Sequence, residues 1–475
     1  MATKNDWTPN NFYEPYIKEA ARHREKVVKE LLKQGAANEG AIYLVGNRST
    51  WRKWSDVAQD FRQESFFYYV TGCEEPNYHV IIDIPTLETH LIIPRFEADY
   101  ALWHGKPPTL AQAKEIYGAD YCHYDDEMVA LLCKVNGMVH VMDGEDVSAL
   151  EGKAVVETKH LRWAMSEARV VKSELEIEMM RKAARISGNA HIACMKYVKP
   201  GKASEMQMHA LFGYECFRHG CPHQAYSPIC AGGCCASVLH YVRNDRDISP
   251  QPDSLILMDC GCEFHTYSSD ITRTYPIGGK FTGEAKIVYE IVLQAQKAVL
   301  REIKAGVDWE DMHRLANRVI CEGLQKCGIL KGSTDELIEN FVPVVFFPHG
   351  LGHLLGQEVH DVGGYPPGTV PIDEPGIRNL RMRRKLVPGM CVTVEPGVYF
   401  NVDMIEPALR DPQVGRFIDR DVLDRFRGVG GVRIEDDLVI TEDGYESLSC
   451  WIAKEIEDIE AVMAKDDLCA SKREK

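Results

Sequence analysis

Two aspartates in one short stretch, three histidines in another and a glutamate in each of two strand-like runs are where this chain concentrates its reactive side chains. SLILMD closes an apolar run at Asp259, the turn-prone Cys260-Gly261-Cys262 follows, and HTYSSDITRTYP carries Asp270. The pattern predicts one hairpin with a carboxylate on each strand. Carboxylates held that close repel unless a cation lies between them or one keeps a proton. FFPHGLGHLLGQEVHD sets His349, His353 and His360 among Gly350, Gly352 and Gly356, and glycines allow a backbone to approach a site closely. CVTVEPGVYF alternates so that Cys391, Thr393 and Glu395 share a face, and GGVRIEDDLVI does the same for Arg433, Glu435 and Asp437. Alone, either strand reads as a solvated face.

Together, two aspartates, two glutamates and one imidazole form an oxygen-rich donor set, which suits hard or borderline divalent ions better than thiophilic ones. Four carboxylates carry about four negative charges, which two divalent cations balance. A pair of such ions about 3.5 to 4 Å apart activates water for amide hydrolysis.

The elements that must position these groups lie in the second part of a 475-residue chain, long enough for two domains. Residues from about 40 to 170 alternate apolar runs (AIYLVG, YHVIIDI, THLIIP) with helical sequence such as TLAQAKEIYG, which predicts an α/β domain over 1–170. From Ser173, an N-cap, a long amphipathic helix begins, with Leu175, Met179, Ala183, Ile186 and Ala190 at helical spacing. A second helix starts at the capping box Ser204-x-x-Gln207 and ends by Gly220. The plan then recurs: a helix from about Glu284 breaks at Gly306 and resumes at Trp309. Lys199-Pro-Gly201-x-x-x-Glu205 and Lys304-Ala-Gly306-x-x-x-Glu310 are the same joint in two halves, so residues 171–465 are expected to form a duplicated domain with the site between its halves. Residues 466–475 read as a solvated tail.

Bulk properties exclude several classes. A net charge of −16 argues against a nucleic-acid footprint, and no run approaches the roughly 18 apolar residues of a membrane span. MATKNDWTPN shows no apolar signal region, so the sixteen cysteines are expected as reduced thiols and the cytoplasm as the compartment. Cys230, Cys234 and Cys235 lack paired C-x-x-C spacing and are expected to be buried free thiols rather than zinc ligands.

LMDCGCEFHTYSSDITRTYP, PHGLGHLLGQEVHD, TVEPGVYF and GGVRIEDD resemble the metal-site motifs of the Xaa-Pro peptidases, and FRQESFFYYVTG with GGYPPGTVPIDEPGIRNLR resembles their prolidase branch. The resemblance implies an α/β (α+β) chain in which an N-terminal aminopeptidase-P-like domain precedes a pita-bread catalytic domain with pseudo-two-fold symmetry. It also implies two divalent metals, manganese in this family. Asp259 would chelate one metal, Asp270 and Glu435 would bridge the two, and His353 and Glu395 would complete the second. Metal-activated water would attack the scissile carbonyl, with Glu395 shuttling the proton to the leaving proline nitrogen. His240, His349 and His360 would hold the substrate and its tetrahedral intermediate. Arg381 matches an arginine that grips the free carboxylate of a C-terminal proline, and Tyr226 and Arg433 match supports behind the ligands. The implied substrates are small peptides with proline second, and the implied assembly is a homodimer with Trp103 near the partner's site. The favoured reading is a dipeptidase; the alternatives are an aminopeptidase acting on longer peptides, a creatinase-like hydrolase that uses no metal and a catalytically silent binding protein. Cys260 and Cys262 depart from the usual larger or apolar residues, and HYVRNDRDI is shorter than some related loops, which bears on the shape of the pocket.

Overall fold

The computed structural model describes residues 9–465, so the expected tail at 466–475 lies outside the described residues. The chain divides into two units, Met1–Val170 and Val171–Lys475.

In the first unit a helix α1 (Pro9–Lys33) precedes the apolar runs. β1 (Ala41–Val45), β2 (His79–Asp83) and β3 (Thr89–Ile93) are the runs themselves, with α2 (Ser65–Thr71) between the first two. α3 (Tyr100–His104), α4 (Leu110–Tyr117), β4 (Tyr121–Tyr124), α5 (Met128–Leu132), β5 (Met138–His140), β6 (Val155–Glu157) and α6 (Leu161–Val170) follow. The strands form one mixed sheet in the order β4-β3-β2-β1-β5-β6. β1 shows why these runs lack polar alternation: Ile42 and Leu44 enter one core beside Val27 and Leu31 of α1, while Ala41 and Tyr43 enter a second core on the opposite face. α1 is absent from the expectation built on the 40–170 pattern. Its buried side, with Tyr16, Ala20, Val27 and Leu31, falls at helical spacing and was legible.

The second unit opens with α7 (Glu174–Tyr197) and α8 (Glu205–Arg218). Ser173 and Ser204 cap them through reciprocal side-chain bonds with Glu176 and Gln207. β7 (His223–Gln224), β8 (Ile229–Gly232), β9 (Leu255–Asp259), β10 (Cys262–Phe264), β11 (Tyr267–Ser268) and β12 (Thr272–Pro276) lead to α9 (Gly283–Glu302) and α10 (Trp309–Lys326). The second half adds β13 (Cys391–Val394), β14 (Gly397–Tyr399), β15 (Gly431–Arg433), β16 (Asp436–Ile440) and β17 (Tyr445–Ser447). Each helix pair turns at a glycine with positive φ, Gly201 at 64° and Gly306 at 85°. The N-cap after each joint, Ser204 or Asp308, makes an antiparallel bridge to its own half, Asp247 or Lys385. The repeated joint therefore marks a repeated architecture, the pseudo-two-fold pita-bread plan.

Two local expectations are corrected. Cys260-Gly261-Cys262 is not a turn: β9 pairs with β12 as expected (Asp259↔Thr272), but the small hairpin β10/β11 is inserted between them and turns at His265 and Thr266, both at positive φ. Gly261 is required for close approach instead, since a Cβ there would lie 1.8 Å from the Ser269 carbonyl oxygen. CVTVEPGVYF and GGVRIEDDLVI are each two strands. Pro396, with no N–H to give a ladder, separates β13 from β14. β15 pairs with β14, β16 pairs with β13, and Glu435 falls in the break with its N–H donated to Thr272 O across the halves. Both carboxylate-bearing runs are buried rather than solvated.

Arg273 ties this junction together. Fully buried, it donates to Asp436 at 2.7 Å and to the carbonyls of Glu435 at 2.6 Å and Ile452 at 3.2 Å. Removing one member of a buried, hydrogen-bonded ion pair costs about 3–5 kcal/mol. Arg273→Leu is therefore expected to lower the unfolding free energy by that amount, read as a lower denaturant midpoint with the slope of the transition unchanged.

Candidate active site

The strand ends of the two halves meet in a cavity of about 540 Å³. Asp259, Asp270, His353, Glu395 and Glu435 all line it, as do His240, His349, His360, Arg381, Tyr226 and Arg433. Among the described residues, Asp270, His353 and Glu435 offer ligand atoms within 4.8 Å of one another, all from buried side chains. His353 Nε2 lies 3.3 Å from Asp270 Oδ2 and 3.5 Å from Glu395 Oε1.

Each carboxylate is aimed by a neighbour. Thr272 donates to Glu435 Oε2 at 2.6 Å, and Thr393, which accepts from His353 N–H, lies 3.4 Å from Glu395 Oε1. Tyr226 donates to Asp259 Oδ1 at 2.6 Å, and Arg433 donates to Asp259 Oδ2. Both Asp259 oxygens thus already have partners. The two carboxylate oxygens of Asp437 receive Asp270 N–H at 3.1 and 3.2 Å. The sequence motifs contain Thr272, Thr393 and Asp437, but only strand register shows what they hold. Tyr399 was missed altogether: it accepts from Arg433 Nη1 and meets His349 Nε2, both at 2.8 Å.

The charges do not balance. Burial, then the charges of Asp270 and Glu395, push Glu435 well above the usual carboxylate range. Burial raises Glu395 to about 7, with the pull of His353 opposing it and Asp270 adding to it. Burial and Asp270 also push Asp437 up. Burial depresses His353, but the hydrogen bond to Asp270 and the Glu395 charge win and its pKa rises. The carboxyl groups are pushed toward their protonated forms, a strain that a divalent cation would relieve. His353 is set for one: its Nδ1 meets the Leu354 carbonyl at 2.9 Å, which fixes the proton there and turns the Nε2 lone pair toward the carboxylates.

The other histidines divide. His349 is half-buried, and desolvation together with the Arg433 charge drops its pKa to about 3. Both of its nitrogens are engaged, Nδ1 on Gly350 O and Nε2 on Tyr399, so it steadies Tyr399 and Arg433. His360, also exposed on the cavity wall, is pushed down to about 3 by desolvation first and then by His353 and Arg381, and so is a neutral imidazole. Its ring stands edge-on to His353, with centroids 4.5 Å apart. His240 and Arg381 are exposed on the cavity wall, and among the described residues Arg381 has no ion-pair partner. Of the expected buried thiols, Cys230 and Cys235 are buried but Cys234 is exposed, and among the described residues no metal-ligand cluster includes them.

The sequence matches the model of metallopeptidase family M24 over residues 178–442 and that of the aminopeptidase P N-terminal domain over 20–140. It is 41% identical to the Xaa-Pro dipeptidase of Homo sapiens, covering 97% of this chain and 96% of that protein. It is 40% identical to a probable Xaa-Pro aminopeptidase of Talaromyces stipitatus, covering 90% and 94%. Aminopeptidase P from E. coli, solved with the inhibitor Pro-Leu, superposes with a TM-score of 0.81 at 31% identity, covering 94% of this chain and 98% of that one. The chain belongs to metallopeptidase family M24, a metal-dependent family of hydrolases.

With Asp270 and Glu435 inside the tight group and His360 outside it, their substitutions separate. Asp270→Ala and Glu435→Ala are expected to lose stoichiometric divalent metal by elemental analysis after gel filtration. His360→Ala is expected to keep it while turnover falls by about 10²–10³.

Proposed function

We propose that the protein is an Xaa-Pro dipeptidase that hydrolyses the bond between an N-terminal residue and a following proline. Two divalent ions, manganese in the favoured reading, would be held by Asp259, Asp270, His353, Glu395 and Glu435. When bound they supply the Lewis acid and the activated water that amide hydrolysis requires. The raised carboxyl groups and the preset His353 support this assignment. Full occupation of these positions argues against a silent binding protein or a metal-free hydrolase.

The remaining roles belong to the protein's own side chains. Glu395, its side chain 16% exposed, can receive a proton in the cavity and deliver it to the proline nitrogen as that nitrogen leaves. Neutral His360, and His240 beside it on the wall, present N–H donors to the scissile carbonyl, where a donor aimed at developing negative charge lowers the barrier. His349, with both nitrogens occupied, acts through Tyr399 and Arg433. Exposed Trp103 in the N-terminal unit fits a homodimer, and free thiols at every described cysteine fit a reducing compartment such as the cytoplasm. Among the described residues no helix is long and apolar enough to cross a membrane.

The observation that carries the dipeptidase reading is Arg381, a guanidinium on the cavity wall near His360 that has no ion-pair partner among the described residues. It can take the free carboxylate of a C-terminal proline in a bidentate pair. With manganese, Gly-Pro is expected to be cleaved, Gly-Pro-Ala more slowly and Gly-Ala not at all. Arg381→Ala should raise KM for Gly-Pro by about tenfold to a hundredfold, the worth of a charge-assisted hydrogen bond, and leave Gly-Pro-Ala nearly unchanged. An untouched Gly-Pro beside a rapidly cleaved Gly-Pro-Ala would instead establish the aminopeptidase reading, which the similarity to aminopeptidase P favours.

A further inference from the structure

His360 has to stand at a fixed place beside His353, yet its ring makes no hydrogen bond that would hold it there among the described residues. Its position is set by the residue that follows it. Asp361 donates its N–H to the Leu354 carbonyl at 2.9 Å and so closes the loop 354–361. The two residues immediately before this closure pair are His353 and His360, so whatever fixes Leu354 against Asp361 fixes the two imidazoles relative to each other.

Asp361 is itself anchored by a charge. Lys172 Nζ donates to Asp361 Oδ2 at 2.7 Å, and the two side chains are 1% and 0% exposed. The pair is boxed in: a Cβ on Gly356 would lie 2.1 Å from Asp361 Oδ2 and 2.9 Å from Lys172 Cε. The lysine is also fixed at its root, because Lys172 N–H donates to Gly389 O at 2.8 Å, just before Ser173 caps α7. On the far side of the loop, Gly356 O accepts from Ser268 N–H at 2.8 Å, two residues before Asp270. A buried ion pair is a poor source of net stability but a strict geometric constraint.

We propose that Lys172 is a positioning residue for the hydrolytic reaction: through its buried pair with Asp361 it sets His360 at the distance from His353 at which His360 serves the substrate. This rests on the reading of His360 as a substrate-contacting donor. Lys172 is not itself one of the metal-ligand positions; its pair with Asp361 acts on the loop 354–361, whose closure carries the effect to His360.

The test is a double-mutant cycle on the manganese-loaded enzyme with Gly-Pro. Lys172→Met should lower kcat by about tenfold to a hundredfold, the cost of misplacing a group by about an ångström. KM should stay within about threefold and bound metal should be unchanged. In a His360→Ala background the same substitution should lower kcat no further, because the two changes share one path, and Lys172→Arg should recover most of the loss. Should Lys172→Met fail to fold, Asp361→Asn, which keeps the shape and one hydrogen bond, replaces it in the same cycle with the same expectation. An unchanged kcat, a loss that multiplies with that of His360→Ala, or a loss that tracks departed metal overturns the proposal. A His360→Ala enzyme with normal kcat overturns the reading of His360 and the proposal with it, whereas a crippled His360→Ala beside a normal Lys172→Met overturns the proposal alone.

Discussion

Four carboxylates are driven into one cavity where the positive charge among them comes from Arg433 and, when protonated, His353, with Arg381 further out on the wall. Two like charges about 4 Å apart at a protein surface repel by about 4 kcal/mol, and burial makes solvation a poor remedy. The local structure answers this constraint. Tyr226 and Arg433 tie off Asp259, Thr272 and Thr393 steady the glutamates, and the remaining excess pushes the Glu395 and Glu435 carboxyls upward. A divalent cation among these carboxylates would relieve that push.

The duplicated architecture explains how such a concentration is assembled at low backbone cost. Each half sets a carboxylate at the end of one strand, Asp259 as the last residue of β9 and Glu395 just after β13, and a second shortly before the antiparallel partner, Asp270 before β12 and Glu435 before β16. The halves therefore aim carboxylates at one point while each keeps its own hydrogen-bonded ladder. Arg273, reaching from β12 to Asp436 and to the Glu435 carbonyl, locks one half's ladder onto the other's.

Much of this was legible from residue types and spacing, and the limits have physical causes. The capped helices at Ser173 and Ser204 and the repeated Gly201 and Gly306 joints are local signals, and local signals survive in a sequence. The hairpin between Asp259 and Asp270 was misjudged because Cys260-Gly261-Cys262 has turn composition. Gly261 is there for its missing Cβ, and the real turn uses His265 and Thr266, which composition does not mark. The breaks at Pro396 and Glu435 arise from strand pairing across the halves, and Tyr399, Asp437 and Lys172 owe their roles to partners 34 to 189 positions away, which no window of sequence contains.

The carboxylate cluster is proposed to hold two cations. The most direct measurement is anomalous diffraction at the manganese edge from crystals of the manganese-loaded protein. The expected result is two peaks about 3.5 to 4 Å apart, beside Asp270, Glu435 and His353. A single peak, or peaks away from Asp270 and Glu435, would contradict it.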